Sequence, residues 1–186
     1  MVAIMILATA GTIVLCSAVA DAATCGSERA AVKLGLDTDA KQVSTQPTDT
    51  TIAALVALSR PRVTPQDRRT AVELNLYRVH AVVIAYKLED DGDLHLVLSD
   101  GTLTMIAELP AVRCARGSAW ASEIAAARLV AEQRLHPHRK LRSMVNIPVT
   151  VTGPAFFDFV HGQVGHAGNG IELHPVVEIV FEGGSV

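Results

Sequence analysis

The segment FFDFVHGQVGHAGNGIELHP, residues 156–175, has the greatest density of side chains that could do chemistry in this chain. Its candidate binding residues are Asp158, His161, Gln163, Asn169, Glu172 and His174. On a β-strand, Glu172 and His174 project from one face, while Ile171 and Leu173 project from the other. The spacing therefore predicts a polar face beside the glycine-containing loop that precedes this strand.

One interpretation of the segment is a metal site. Asp158, His161, Glu172 and His174 are all acceptable metal ligands. The chain has no HExxH motif, no CxxC pair and no calcium-loop pattern, which are the spacings that mark established sites. A secreted metal-dependent hydrolase, nuclease-like in its use of these four residues, is therefore an alternative. The main prediction contains no catalytic residue, no metal and no cofactor.

The other interpretation is a loop and strand held together by polar side chains. Four glycines give the backbone freedom for a tight loop, and Asn169-Gly170 is a turn dipeptide placed just before a β run. Asp158, Gln163 or Asn169 can then hydrogen-bond backbone amides of the loop. This interpretation predicts a binding or structural domain without catalysis.

Other catalytic motifs are absent from the sequence. There is no G-x-S-x-G for a nucleophilic serine, and the glycine-rich stretch precedes a strand rather than joining a strand to a helix. The DDGD tetrapeptide at residues 90–93 resembles an acidic metal site, but such a cluster is more typical of a solvated turn. We expect a solvated turn there.

The elements that must position these residues follow from periodicity. Asp49 or Thr50 is the expected cap of a short N-terminal helix, and Ser118 is the expected cap of a longer one. Strands are predicted over residues 74–89, 94–101, 102–110, 145–158 and 171–182, with the longer helix between the third and fourth strands.

This order is that of the five-stranded OB barrel. We therefore predict a mainly β, OB-like barrel with one helix between strands 3 and 4 and an extra short N-terminal helix. An open α+β sandwich with one helix on a sheet has the same elements and remains the alternative.

The predicted second and third strands decide whether the barrel offers a ligand face. Leu94, Leu96 and Leu98 alternate with His95 and Val97, so the leucines are expected in the core and the other two outside. OB barrels often bind single-stranded nucleic acid or oligosaccharide on this face through exposed aromatic side chains. These outward positions carry no aromatic residue, so this second alternative depends on fold analogy alone.

The N-terminus predicts export. Residues 2–20 are almost wholly apolar and end in the small-x-small pattern that signal peptidase cleaves, so residues 1–22 are predicted to be a signal peptide. An uncleaved membrane anchor is the alternative. Residues 23–70 are then an N-terminal extension, and residues 71–186 are the OB-like domain. We expect no stable membrane partner after cleavage, and a ligand in the envelope or the medium.

Composition supports a single compact exported domain. About 164 residues remain after cleavage, a typical domain length, and the formal charge of −3 does not indicate a polyanion-binding surface. Cys25 and Cys114 are the two cysteines of the mature chain. An even number of cysteines in an exported protein predicts a disulfide, here between these two residues.

Three blocks together resemble a group of small exported bacterial proteins of uncharacterised activity with an OB-like β-barrel. The blocks are CGSERAAVKLGLDTDA, AYKLEDDGDLHLVLSDGTLTMIAELP and FFDFVHGQVGHAGNGIELHPVVEI. The resemblance spans most of the mature chain, and its last block is the most specific. Ala30 stands where the group is expected to have a bulky aromatic residue. The resemblance implies export and the barrel, and it implies no catalytic residue.

Overall fold

The computed structural model describes residues 25–26, 28–64 and 68–183. The predicted signal peptide, or alternatively membrane anchor, at residues 1–22 lies outside these ranges. Within them, no helix is both long and apolar enough to cross a membrane. The predicted disulfide between Cys25 and Cys114 is confirmed, and it joins residues 89 positions apart.

The described chain is mainly β, as predicted, with seven strands in one mixed sheet. The strands are β1 (Thr48–Thr50), β2 (Leu76–Leu88), β3 (Leu94–Ser99), β4 (Thr104–Leu109), β5 (Arg142–Phe157), β6 (Ile171–Leu173) and β7 (Glu178–Phe181). The α-helices are α1 (Ala30–Lys33), α2 (Ile52–Val56) and α3 (Ala121–Leu135).

Five of the strands are joined in a closed circuit of pairings. The sheet order is β1-β2-β3-β4-β6-β5-β7, and β2 also pairs with β5. The pairing of β4 with β6 is parallel, and the other four pairings in the circuit are antiparallel. The long strand β2 pairs with β3 on one side and β5 on the other, and its register shifts between Val83 and Ala85 in both ladders, as at a β-bulge.

The core lies inside this circuit. Leu94, Leu96 and Leu98 of β3 are fully buried there, as their alternation predicts. Residues of α3 pack against the same core, and the hydroxyl of Tyr86 donates to the Leu135 carbonyl at the end of that helix. The β2–β3 turn and the β3–β4 turn have Gly92 and Gly101 at positive φ, which glycine adopts without strain.

Both helix caps differ from the expected ones. Thr51 caps α2 by accepting a hydrogen bond from the Ala54 amide, because Asp49 and Thr50 are taken up by β1, which pairs in parallel with β2. Ser118 accepts from the Trp120 amide in the turn before α3 and does not cap the helix itself.

The closing run of the sequence forms two strands rather than one. Strand β6 ends at Leu173, the His174–Pro175 peptide bond is cis, and β7 begins at Glu178. Ile171 and Leu173 are in the core, opposite Glu172 and His174 as the spacing predicts, and Val176 and Ile179 join them there. The inward positions therefore change from odd numbers to an even number at Val176, directly after Pro175, which cannot donate to the ladder, and return to an odd number at Ile179.

Candidate functional site

The loop between β5 and β6, residues 158–170, is here called the glycine loop, and it covers the outer face of β3. Its Val164 carbonyl accepts a hydrogen bond from His95 Nε2 at 3.0 Å, and Gly165 packs directly against Val97. His95 and Val97 are consequently buried. The expectation that they face solvent is wrong, because periodicity within a strand does not show which loop folds over it.

Two of the predicted binding residues hold the glycine loop in place. Asn169 Nδ2 donates to the carbonyls of Leu55 and Leu58 at the end of α2, and its Oδ1 accepts from the Ile171 amide. Gln163 donates to the Phe159 carbonyl and accepts from the His161 amide. These bonds to the backbone are of the kind expected from the sequence.

The other four predicted residues divide by burial. Asp158, Glu172 and His174 are buried, whereas His161 is exposed and its ring contacts Gln163. Asp158 Oδ2 accepts from Lys33 Nζ at 3.1 Å and from Gln163 Nε2 at 3.3 Å. His161 therefore lies on the surface of the loop, and the remaining three belong to a buried polar cluster.

Glu108 is the centre of that cluster, although it is not among the residues predicted from the sequence. Glu108 Oε1 lies 2.9 Å from His95 Nδ1, and its Oε2 lies 3.1 Å from His174 Nδ1. Glu172 Oε1 is 3.6 Å from the same His174 nitrogen, and Asp93 Oδ2 is 3.8 Å from His174 Nε2. The parallel pairing of β4 with β6 brings these residues together.

Asp93 belongs to the DDGD turn, which was expected to be solvated. Asp91 and Asp90 are on the surface side of that turn, but Asp93 is buried, and its Oδ1 accepts from the Ala111 amide at 2.8 Å. A buried carboxylate here fixes the β2–β3 turn to the end of β4. The signal that could have identified Glu108 and His95 is that each is a lone titratable residue within an apolar strand.

The N-terminal segment completes the cluster. Lys33, at the end of α1, pairs with Asp158, and its side chain is only 20% exposed. Arg29, just before α1, donates to both oxygens of Glu73 at 2.6 and 2.9 Å and to the Phe157 carbonyl. The segment is thus bound to the end of β5, where the glycine loop begins.

Burial and charge shift the pKa values in this cluster in opposite directions. Burial is the main reason that the pKa of Glu172 is raised to about 7 and that of Asp93 to about 6. Burial lowers the pKa of His174, but Glu108 and Glu172 outweigh it and raise that pKa to about 10. Burial raises the pKa of Glu108, but His174 and His95 hold it well below its usual range. At neutral pH, Glu108 is therefore an anion facing a cation.

A pocket of about 510 Å³ opens beside the cluster, between the N-terminal segment, the β2–β3 turn and the glycine loop. Glu108, Asp158, Lys33, His161 and Gln163 line it, so the pocket reaches the polar cluster from solvent. Six carboxylates face it against two lysines. The acidic lining residues are Glu28, Glu89, Asp90, Asp91, Glu108 and Asp158.

Two groups of His and carboxylate donors in the described ranges are close enough to share one metal ion. They are Glu89, His95 and Glu108 on the pocket side, and Asp93, Glu108 and His174 on the buried side. Of the four residues of the predicted metal set, only His174 belongs to either group.

No family model and no curated protein matches the chain. Among solved structures, the chain is similar to a protein from Leishmania major Friedlin that is assigned provisionally as an aspartyl-tRNA synthetase, at 13% identity and a TM-score of 0.43. The similarity covers 77% of this chain and 22% of that protein, so the chain spans less than a quarter of that protein's length. A likeness at this level carries no argument about function.

Proposed function

We propose that this chain is an exported, disulfide-stabilised OB-like domain that binds a cationic ligand in the acidic pocket and acts without catalysis. The observation that carries the proposal is the excess of carboxylates around that pocket, six against two lysines. A concave site of one sign of charge concentrates ligands of the opposite sign and sets their orientation.

The OB-like part of the proposal is supported by connectivity. The circuit β2-β3-β4-β6-β5 and back to β2 has the strand order of the five-stranded OB barrel, with its one parallel pairing between the third and fifth strands. Helix α3 falls between the third and fourth strands of the circuit. The disulfide supports export, because such bonds persist in oxidising compartments.

The chemistry of the pocket points to a ligand with amine or guanidinium groups. Asp158 and Glu108 lie at its inner end, and Glu28 and Asp90 lie among its lining residues closer to solvent. A polyanion such as nucleic acid would meet the same carboxylates and be repelled. The nucleic-acid alternative also needs an open outer face on β3, which the glycine loop covers.

The test is calorimetric titration with spermine and with an oligo-arginine peptide at low and at high salt. Replacing Glu28 and Asp90 together by Gln and Asn should weaken binding by about tenfold, because two carboxylates at the pocket are lost. Glu123→Gln is the matched control, since Glu123 is an exposed carboxylate in the first turn of α3. Equal affinities of wild type and the double variant would contradict the proposal.

A metal-dependent hydrolase is the second candidate. The observation in its favour is that Asp158, Glu172 and His174 all present buried polar atoms without hydrogen-bond partners in the described part of the chain. Hydrolysis of generic ester and phosphodiester substrates, with and without added Zn²⁺, tests this candidate. Turnover that is lost in a Glu108→Gln variant would favour it over pure binding.

A further inference from the structure

Three donor side chains converge on one point behind the acidic pocket. Asp93 comes from the β2–β3 turn, Glu108 from β4, and His174 from the residue after β6. One donor atom from each lies within 4.8 Å of the other two. Donors around a tetrahedral ion with bonds of about 2.1 Å are about 3.4 Å apart. Glu108 Oε2 lies 3.1 Å from His174 Nδ1, close to that spacing, whereas Asp93 Oδ2 lies 3.8 Å from the other ring nitrogen, Nε2, so one ion can use only one of these two nitrogens.

His174 provides a second, independent observation. Its side chain is 0% exposed, and although Nδ1 lies 3.1 Å from Glu108 Oε2, neither ring nitrogen has hydrogen-bond geometry with a partner within the described ranges. Glu172 Oε1, which lies 3.6 Å away, is unpartnered as well. Buried polar atoms are normally hydrogen-bonded, so an imidazole left this way among carboxylates calls for a cation. The cation is either a proton on His174 or a metal ion.

His95 fixes the position of Glu108. Its Nε2 faces the Val164 carbonyl, which can only accept, so this nitrogen carries a proton and the ring orientation is set. Nδ1 then faces Glu108 Oε1 at 2.9 Å, which leaves Glu108 Oε2 directed at His174. A histidine or carboxylate ligand held by such an outer contact is a recurring feature of metal centres. His95 is therefore a positioning residue.

From this geometry we propose that Asp93, Glu108 and His174 bind a divalent transition-metal ion of the Zn²⁺ class at the inner end of the acidic pocket. One imidazole and two carboxylates suit Zn²⁺ and its neighbours, whereas Ca²⁺ and Mg²⁺ favour ligand sets made of oxygen alone. Glu108 also lines the pocket and so gives the ion a path from solvent. This inference rests on the proposed function, since it names a metal ion as one cation that the pocket admits.

The test is titration of chelator-treated full-length exported protein with Zn²⁺ by calorimetry, and with Co²⁺ by visible absorption. We expect one ion per chain in the wild type. His174→Gln and Glu108→Gln should each weaken Zn²⁺ binding by at least about tenfold. His161→Gln is the matched control in the pocket lining, and it should bind Zn²⁺ as the wild type does.

A measurement on the wild type alone covers the case in which a variant fails to fold. Zn²⁺ should shift the ring nitrogen resonances of His174 in a histidine-selective NMR spectrum and leave those of the exposed His80 unchanged. Absence of Zn²⁺ and Co²⁺ binding in the wild type, or equal Zn²⁺ affinity in His174→Gln, would overturn the proposal and leave a proton as the cation.

The double variant of Glu28 and Asp90 separates this inference from the proposed function. It should lose affinity for oligo-arginine and keep its Zn²⁺ site. A protein that binds oligo-arginine but no metal would retain the proposed function and refute the metal centre. A protein that binds metal but no organic cation would retain the metal centre and refute the proposed function.

Discussion

Glu73 is completely buried, and hydrogen bonds reach both oxygens of its carboxylate. Arg29 donates to both oxygens, the Phe157 amide donates to Oε1 at 2.9 Å, and the Thr70 amide donates to Oε2 at 2.7 Å. A buried ion pair of this kind adds little net stability over an apolar pair, but removing one partner leaves an uncompensated charge. Glu73 is therefore one of the residues that hold the N-terminal segment against β5, together with the Lys33–Asp158 pair.

The pKa of Glu73 predicts a pH-dependent stability. Burial would raise this pKa, but the bonds from Arg29, Thr70 and Phe157 outweigh it and hold the pKa below the ordinary value of 4.5. A lowered folded-state pKa gives stability that is present above the unfolded-state pKa and is lost as the pH falls through the folded-state pKa. Glu73→Gln should therefore lower the free energy of unfolding by about 3–5 kcal/mol at pH 7 and by less in acid.

Urea unfolding of wild type and Glu73→Gln between neutral and acidic pH measures this difference. Asp49→Asn is the control, because the exposed pair of Asp49 with Arg78 contributes less than about 1 kcal/mol. A gap between wild type and Glu73→Gln that stays constant into acid would show that the charge of Glu73 is not the cause.

At the scale of residues, the sequence predicts the side of a strand from which a side chain projects better than it predicts the distant residues that the side chain contacts. Glu172 and His174 were expected opposite the core and beside the glycine loop, and they do leave β6 on that side. Their contact with Glu108 depends on β6 lying next to β4, a parallel pairing between strands more than sixty residues apart. Asp93 and Lys33 were not predicted as members of the buried cluster, because no local pattern shows which distant segment covers a charged residue.

At the scale of elements, the glycine loop acts as a cover for β3. Gly165 has φ of +81°, and a Cβ at this position would overlap the methyl groups of Val97. Gly162 has φ of +91°, but a Cβ there meets nothing within 4 Å. A residue with a Cβ would be strained by the positive φ at either position. Only at Gly165 would its Cβ also clash with Val97.

Gly162→Ala should therefore cost about 1–2 kcal/mol of stability through its backbone alone. Gly165→Ala should cost about 1–3 kcal/mol more, since the loop must move away from β3. Thermal and urea unfolding measure both variants, and hydrogen exchange at the Val97 amide reports the displacement of the loop. Equal costs for the two substitutions would show that the loop does not pack against β3.

Element boundaries were predictable where periodicity and turn residues agree. The alternation of Leu94, Leu96 and Leu98, with turns on either side, predicted β3 and its inward face. The short strand β1 has three residues and pairs in parallel with β2, so its sequence carries no period that could identify it. One strand was predicted over residues 171–182, whereas Pro175, which cannot donate to the ladder, lies between β6 and β7.

At the scale of the whole molecule, the disulfide ties Cys25, at the start of the described residues, to Cys114 in the segment between β4 and α3. Closing a loop of 89 residues is worth about 4–5 kcal/mol in the chain-entropy model. Reduction should therefore lower the melting temperature, and a Cys25→Ser/Cys114→Ser variant should melt at the same temperature with and without reductant.

A thiol count on denatured exported protein completes this prediction. Cys16 lies in the predicted leader, so a cleaved chain should have no titratable thiol and a chain that keeps its leader should have one. Two or more thiols in freshly exported protein would contradict the disulfide in solution.

The long reach of the N-terminal contacts has a consequence for biosynthesis. Arg29 contacts the Phe157 carbonyl, 128 residues later in the chain, and Lys33 contacts Asp158, 125 residues later. Because a polypeptide emerges from the ribosome or an export channel with its N-terminus first, these two contacts can form only after residues 157 and 158 have followed, whereas the contact of Arg29 with Glu73 can form earlier. The pocket, which Asp158, His161 and Gln163 line, therefore takes shape only late in synthesis, after the chain has been made beyond residue 163.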